Sequence, residues 1–270
     1  MEMNYHDRPT VWDMRAKKAN GEKISMLFVE THEEARAAAS AGVDMLSIID
    51  PLWTPQMREA AGNCFVQVGL LYGELATSDD YLRTAHRVML LGADCIYCAA
   101  GVGTVKALAD EGIPVVSHVG LIPSKCTWTG GFRAVGKTAD SAIAVWKHVQ
   151  ALEEAGCFGA ELEVVPDRVG EWITRNTSMI MLGMGAGPGA DAQYLFTEDV
   201  LGYGQNHKPR HGKVYRDFKS EFERLQRERV EAFKEFIDDV NSGAYPAPEH
   251  VVPIADDEFD AFLAGAGSEK

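Results

Sequence analysis

Four ionisable residues stand at or near the ends of otherwise apolar runs: Glu30 after ISMLFV, Asp50 after MLSII, His118 in PVVSHV and Glu163 in GAELEVV. A carboxylate at the mouth of an apolar enclosure is raised in pKa by desolvation, which suits it to take a proton from carbon next to a carbonyl. Glu163 is read as that base. The competing reading is a structural ion pair with an arginine such as Arg168. His118 is followed closely by GLIPSKCTWTGGFRAVGK, residues 120–137, a Gly-rich stretch longer than a simple connection needs. That loop marks His118 as substrate-positioning rather than as a satisfied core histidine. Asp50 reads equally as a metal ligand or as a cap on the helix after Pro51.

Three further motifs carry less. The run GMGAGPGAD, Gly183 to Asp191, follows an apolar strand and is expected to open a helix. The backbone amides around Gly185 and Gly187 would then hold a substrate anion. No acidic residue follows at the spacing a dinucleotide fold requires, so dinucleotide binding is disfavoured. Cys95 and Cys98 form C-x-x-C, but residues three apart on a strand face opposite ways, and no second pair exists for zinc. The segment HKPRHGKVY, His207 to Tyr215, is the one dense basic stretch and reads as a greeting for an anionic ligand or as a solvated loop.

Elements that could position these groups recur along the chain. An Ala-rich helical stretch ends at a glycine and is followed by a short apolar run at least four times, the glycines being Gly42, Gly92, Gly112 and Gly156. Each glycine sits where a left-handed residue stops a helix. Apolar runs alternating with helices imply parallel strands buried on both faces. Further strands at Ile24–Glu30, Cys64–Leu70, Ser178–Leu182 and around Val200–Gly202 bring the total to about eight, which closes a (βα)8 TIM barrel. A doubly wound open sheet is the alternative. In a barrel, catalytic groups come from strand C-termini, which is where the four ionisable residues lie. Residues 1–270 are read as one barrel domain with a C-terminal helical extension from about Lys213: a long charged helix to Val240, a turn-rich loop SGAYPAPEH, and a short amphipathic helix from Asp256 to Leu263.

Composition narrows the function further. The 270 residues carry 40 Asp and Glu against 26 Lys and Arg, a formal charge of −14, which leaves no surplus cation for nucleic acid. No apolar run approaches a membrane span and no signal-peptide block opens the chain, so a cytoplasmic protein is expected. Five cysteines without framework spacing fit reduced thiols.

The blocks VSHVGLIPSKCTWTGGFRAVGK, ALEEAGCFGAELEVVP, GMGAGPGADAQYLFTEDVLG and SGAYPAPEHV occur in the order found in ketopantoate hydroxymethyltransferase, which the chain resembles from about Lys17 to Val251. The resemblance implies a barrel of the phosphoenolpyruvate mutase/isocitrate lyase type, a homo-oligomer up to a decamer, and a place in pantothenate biosynthesis. It also implies transfer of a one-carbon unit from methylenetetrahydrofolate to an enolised 2-oxo acid held on Mg²⁺. Glu163 matches the family's strand-end base, His118 its substrate-contacting histidine, and Asp50 a metal ligand. Other positions depart from the pattern: Pro51 replaces a serine, Gly69 a metal-binding aspartate, and Tyr97 and Ala99 a lysine and a glutamate. Tyr97 is therefore expected at the substrate. Glu30 and Glu74 are possible replacement ligands beside Asp50 for Mg²⁺ or another divalent cation.

The function expected is formation or cleavage of a C–C bond next to the keto group of a small 2-oxo acid. A retro-aldol lyase or hydrolase acting on a different oxo acid is the alternative within enzymes. A non-catalytic paralogue serving as a binding or regulatory subunit is the alternative outside them; the retained Glu163 and His118 loop argue against it.

Overall fold

The computed structural model describes residues 8–204 and 209–267. Two compact units divide the chain between Arg216 and Asp217. In the first, eight parallel strands pair in sequence order and close into a barrel. They are β1 Ile24–Phe28, β2 Met45–Ile49, β3 Phe65–Gly69, β4 Cys95–Tyr97, β5 Val115–Gly120, β6 Gly159–Glu163, β7 Ile180–Met184 and β8 Ala192–Phe196. The helices of this unit are α1 Val11–Ala19, α2 His32–Ala41, α3 Pro55–Ala60, α4 Ser78–Leu90, α5 Val102–Asp110, α6 Cys126–Thr129, α7 Ala139–Glu154, α8 Asp167–Asn176 and α9 Thr197–Leu201. This is the (βα)8 barrel expected from the helix–glycine–strand repeat. Gly42, Gly92, Gly112 and Gly156 all have positive φ, as helix stops should. Helix starts are equally local: Thr31, Thr77 and Thr138 each accept from the backbone N–H three residues on and form capping boxes.

Strand alternation sorts the core into two layers. Residues facing the lumen, among them Met26, Met45, Phe65, Cys95, Val116 and Leu182, form one apolar cluster. Those facing outward, among them Leu46, Val66, Ile96, Cys98, Val115 and Leu162, pack with the helices in a second. Cys95 and Cys98 thus fall in different layers, and all five cysteines are free.

Two expectations are corrected here. Val200–Gly202 is no strand: Val200 and Leu201 end α9, and the eighth strand is Ala192–Phe196. Gln193 is exposed between buried Ala192 and Tyr194, so β8 lacks the continuous burial of β3 or β7 and shares the broken pattern of β1. Nor does GMGAGPGAD open a helix, because the chain passes from β7 to β8 with no helix between them. Leu182 pairs with Ala192, so β8 begins only two residues below the end of β7 and the return is short. The glycines serve close packing instead. A Cβ on Gly187 would lie 2.6 Å from that of Asp167 at the start of α8, and one on Gly185 would lie 2.8 Å from His211 Nδ1.

The second unit holds α10 Phe218–Ser242 and α11 Asp256–Ala266. No residue of α10 or α11 is buried. Among the described residues no helix is long and apolar enough to cross a membrane.

Candidate active site

The lumen is apolar at its base and polar toward the C-terminal ends of the strands. Period-two alternation brings Ser47 from β2, Gln67 from β3, Tyr97 from β4, His118 from β5, Glu161 and Glu163 from β6 and Tyr194 from β8 into it. A cavity of about 620 Å³ opens above these groups. Ser47, Tyr97, Glu161, Glu163 and Tyr194 line its floor, and Phe28, Ile49, Met184 and Phe196 its apolar sides. Glu198, Asp199, Pro209, His211 and Val214 form its wall after β8, and Pro123 and Phe132 come from the loop after β5.

At the centre lies a histidine between two carboxylates. His118 Nε2 is 3.1 Å from Glu163 Oε2, and Nδ1 is 3.3 Å from Glu161 Oε2 and 2.7 Å from the Tyr97 hydroxyl. Glu161 is held from its other side, since Gln67 Nε2 donates to its Oε1 at 2.8 Å and also reaches Ser47 Oγ at 3.2 Å. All three members of the triad are buried. Burial alone would lower the His118 pKa, but hydrogen bonds and charge from Glu161 and Glu163 outweigh it and push it up to about 9. The imidazole is therefore a cation at neutral pH. Burial, reinforced by the charges of Glu161 and Glu163, raises Tyr97 and Tyr194 well above the ordinary phenol value, so both stay protonated.

Backbone geometry fixes Glu163. The next residue, Val164, is the one described non-glycine residue with positive φ, +48°, a conformation a β-branched residue adopts only when its surroundings impose it. Those surroundings are the Val164 N–H donating to Met184 O at 2.8 Å and the Val164 carbonyl accepting from Val135 N at 3.1 Å. On the other side, Leu121 N donates to Glu163 O at 2.9 Å, which requires the close approach of Gly120. The loop after β5 is thereby tied to the strand end that presents Glu163.

The structure brings Glu163, His118 and Tyr97 together, with His118 rather than Arg168 as the partner of Glu163. Asp50, Glu30 and Glu74 are not brought together. Asp50 lies in the first turn after β2, where Arg87 of α4 takes both its oxygens at 2.5 and 2.7 Å. It caps no helix: Ile49 caps the short turn it begins, and Thr54 caps α3. Glu30 and Glu74 are exposed, and none of the three lines the cavity. Neither do Gly185 and Gly187, whose places are set by packing. In the basic segment, Pro209, His211 and Val214 form cavity wall; His207 and Lys208 lie outside the described residues.

Glu161, Gln67, Ser47 and Tyr194 lie inside their strands, where polarity at a strand end does not single them out. The signal for Glu161 was present nonetheless: it stands two residues before Glu163, hence on the same face.

The residues present do not fit a divalent cation. Among the described residues no group of three or more His, Cys, Asp or Glu side chains is disposed to hold one. Gly69 and Ala99 offer no side-chain donor, Asp50 turns both oxygens to Arg87, and both lumen carboxylates turn an oxygen to His118. Mg²⁺ takes near-octahedral oxygen coordination, which this set does not supply.

Residues 53–248 match the sequence model of ketopantoate hydroxymethyltransferase. The chain is 33% identical over 269 residues to 3-methyl-2-oxobutanoate hydroxymethyltransferase of Thermus thermophilus, covering 90% of this chain and 99% of that one. It is 30% identical over 284 residues to the enzyme of that name from Lysinibacillus sphaericus, covering 96% and 99%. In fold it is similar to phosphoenolpyruvate phosphomutase from Streptomyces platensis subsp. rosaceus, with a TM-score of 0.50, 13% identity and 96% of each chain covered. A closed barrel with His118 and Glu163 at its strand ends and a match over most of the chain lead to one conclusion: this chain is an enzyme of the ketopantoate hydroxymethyltransferase family.

Proposed function

We propose that the chain enolises a small 2-oxo acid at the carbon next to its keto group and makes or breaks a C–C bond there. The observation that supports this is Glu163 on the cavity floor, 3.1 Å from a buried imidazolium. Glu163 takes the proton from C3 of the substrate. The C–H electron pair becomes the C2=C3 bond, and the carbonyl π electrons move onto oxygen, where preorganised donors stabilise the charge. In the forward direction the enolate carbon would form a C–C bond to a one-carbon unit, for which methylenetetrahydrofolate is the proposed donor; both C–N bonds to that carbon would break, water would supply the hydroxyl, and tetrahydrofolate would leave. Ketopantoate synthesis is the named case, and the apolar sides formed by Phe28, Ile49, Met184 and Phe196 suit a branched aliphatic tail.

One observation favours a second substrate. Tyr97 stands where the family has a lysine, and no Lys or Arg is among the described lining residues. A retro-aldol cleavage of a different oxo acid uses the same proton transfer in reverse. A purely binding paralogue is disfavoured, because burying two carboxylates and a histidine is costly for a scaffold and idle without chemistry.

The test is solvent exchange. In D₂O the enzyme should exchange C3 of 3-methyl-2-oxobutanoate, or of a member of an oxo-acid panel, without a one-carbon donor. Glu163→Gln should slow that exchange roughly 10²–10⁴-fold with an unchanged circular dichroism spectrum. Absence of exchange across the panel would remove Glu163 as a base toward oxo acids. We also propose that the chain acts as a homo-oligomer, on the strength of the exposed apolar residues of α10.

A further inference from the structure

We propose that this site works without a divalent cation: the ring of His118, clamped between Glu161 and Glu163, is the buried cation whose charge stabilises the developing enolate, and Glu161 is the positioning residue that keeps it there. The inference rests on the enolising reading of Glu163.

An enolate oxygen formed in a buried site has to be met by a positive charge or by aligned donors. The described groups offer few candidates. Among the cavity residues only His211, on the wall, is a cation former, and Lys125 and Arg133 of the loop after β5 do not line the cavity. His118 does not itself line the cavity: it is 1% exposed and sits against the lining residues Tyr97, Glu161 and Glu163. Its Nε2 lies 3.1 Å from Glu163 Oε2, the oxygen that receives the C3 proton, so its charge acts on the reacting atoms through that contact rather than by touching them.

Charge follows the same path. Before reaction His118 faces two carboxylates. Proton transfer neutralises Glu163 and places the negative charge on the substrate beyond it. The imidazolium thus exchanges one nearby anion for another while the site's total charge stays constant, so no metal is needed to absorb the change. Glu161 is what makes this workable. Without it, His118 would face a neutral Glu163 after proton transfer and would hold its own proton less strongly. Gln67 fixes Glu161 at 2.8 Å so that its other oxygen turns to Nδ1. The remaining titratable groups around His118 are Tyr97 of β4 beside Nδ1, Tyr194 of β8 facing the two carboxylates, and His148 of α7 and Lys125 on the β5 side. Burial and the positive charges of Lys125 and His118 hold His148 below its ordinary value, so it adds no competing cation.

The experiment measures C3 exchange of 3-methyl-2-oxobutanoate by NMR in D₂O. The full-length enzyme is first treated with EDTA and passed over chelating resin, with metal content checked by mass spectrometry. The expected result is a rate within twofold of untreated enzyme that Mg²⁺ or Mn²⁺ does not raise. A tenfold or greater loss on stripping that either cation restores would overturn the metal-free site while leaving enolisation by Glu163 intact. No exchange under any condition would sink both. A second arm reads the positioning role with isotope-labelled histidine, the His118 signal being assigned by its loss in His118→Asn. In Glu161→Gln the His118 titration should move down by at least one unit, and the alkaline limb of the exchange profile should move down with it. Glu161→Asp, which keeps the charge, should restore both, and Glu161→Ala takes the place of the glutamine variant where that does not fold. An unmoved titration in the folded charge-removing variant, or one that falls as far in Glu161→Asp, would overturn the role of Glu161.

Discussion

A histidine locked between two carboxylates is a statement about stability as well as catalysis. The His118 pKa rises from 6.5 to about 9 on folding, so the folded state binds a proton there that the unfolded state releases. The contribution is fully present below about pH 6.5 and is lost as pH rises through about 9; its size is of the order of 3 kcal/mol. Thermal melts from pH 6 to 10 should therefore show Tm falling on the alkaline side, and His118→Asn should flatten that fall. A wild-type Tm that holds level to pH 10 would contradict the clamp. At this scale, Glu163 and His118 were legible because each is a polar group near the end of an apolar run. Glu161, Gln67, Ser47 and Tyr194 were not, because a polar residue in mid-strand announces itself only once the lumen face is known. Asp50 shows the reverse error: it is at a strand end, but Arg87, 37 residues away in sequence, claims both its oxygens.

Strand ends matter because the elements hold them rigidly. Gly120 has φ of +87°, and a Cβ there would collide with the Glu163 carbonyl and with Val165. Gly120→Ala should cost about 3 kcal/mol, a fall in Tm of roughly 6–12 °C, through left-handed strain and overpacking at once. It should also slow C3 exchange, because the backbone it displaces is the one that presents Glu163. The barrel seam depends on one side chain of α1. Lys18 Nζ bonds to Asp191 Oδ2 at 2.8 Å and to the carbonyls of Thr174 and Met179 at 2.9 and 2.7 Å, while Asp191 accepts from Met181 N. With no helix between β7 and β8, this ion pair pins the start of β8. Lys18→Met should destabilise by about 2–4 kcal/mol in denaturant titration, leaving Asp191 charged and half-satisfied. Equal midpoints for variant and wild type would show the seam to be held by strand pairing alone. The helix–glycine–strand repeat was readable because those signals are local. The β7–β8 return was not, because its shortness follows from the stagger of barrel closure, a property of eight strands together.

Both helices of the second unit leave their large apolar side chains exposed. Along α10, Phe222, Leu225, Val230, Phe233, Ile237 and Val240 recur at spacings that keep them near one stripe, and every one is at least 40% exposed. Phe259, Phe262 and Leu263 repeat the pattern on α11. In the barrel unit, the outward residues of the neighbouring strands β8 and β1 lack a helix of the β7–β8 connection to cover them: Gln193 and Ser25 are exposed, and Leu195 and Leu27 are only half-buried. Each is a surface that water penalises and that a second copy of the chain would cover, which favours closed homo-oligomers. Light scattering on the eluting peak should give a mass that is a multiple of 29.5 kDa at micromolar protein. Phe233→Glu together with Ile237→Glu should lower that mass toward the single chain, since burying two unpaired carboxylates in an apolar contact costs more than such a contact returns. The site lies wholly on residues of the barrel unit, so C3 exchange per chain should survive the change where the barrel stays folded. A wild-type chain that elutes as a monomer, with α10 soluble as it stands, would refute the homo-oligomer and leave the chemistry of the strand ends untouched.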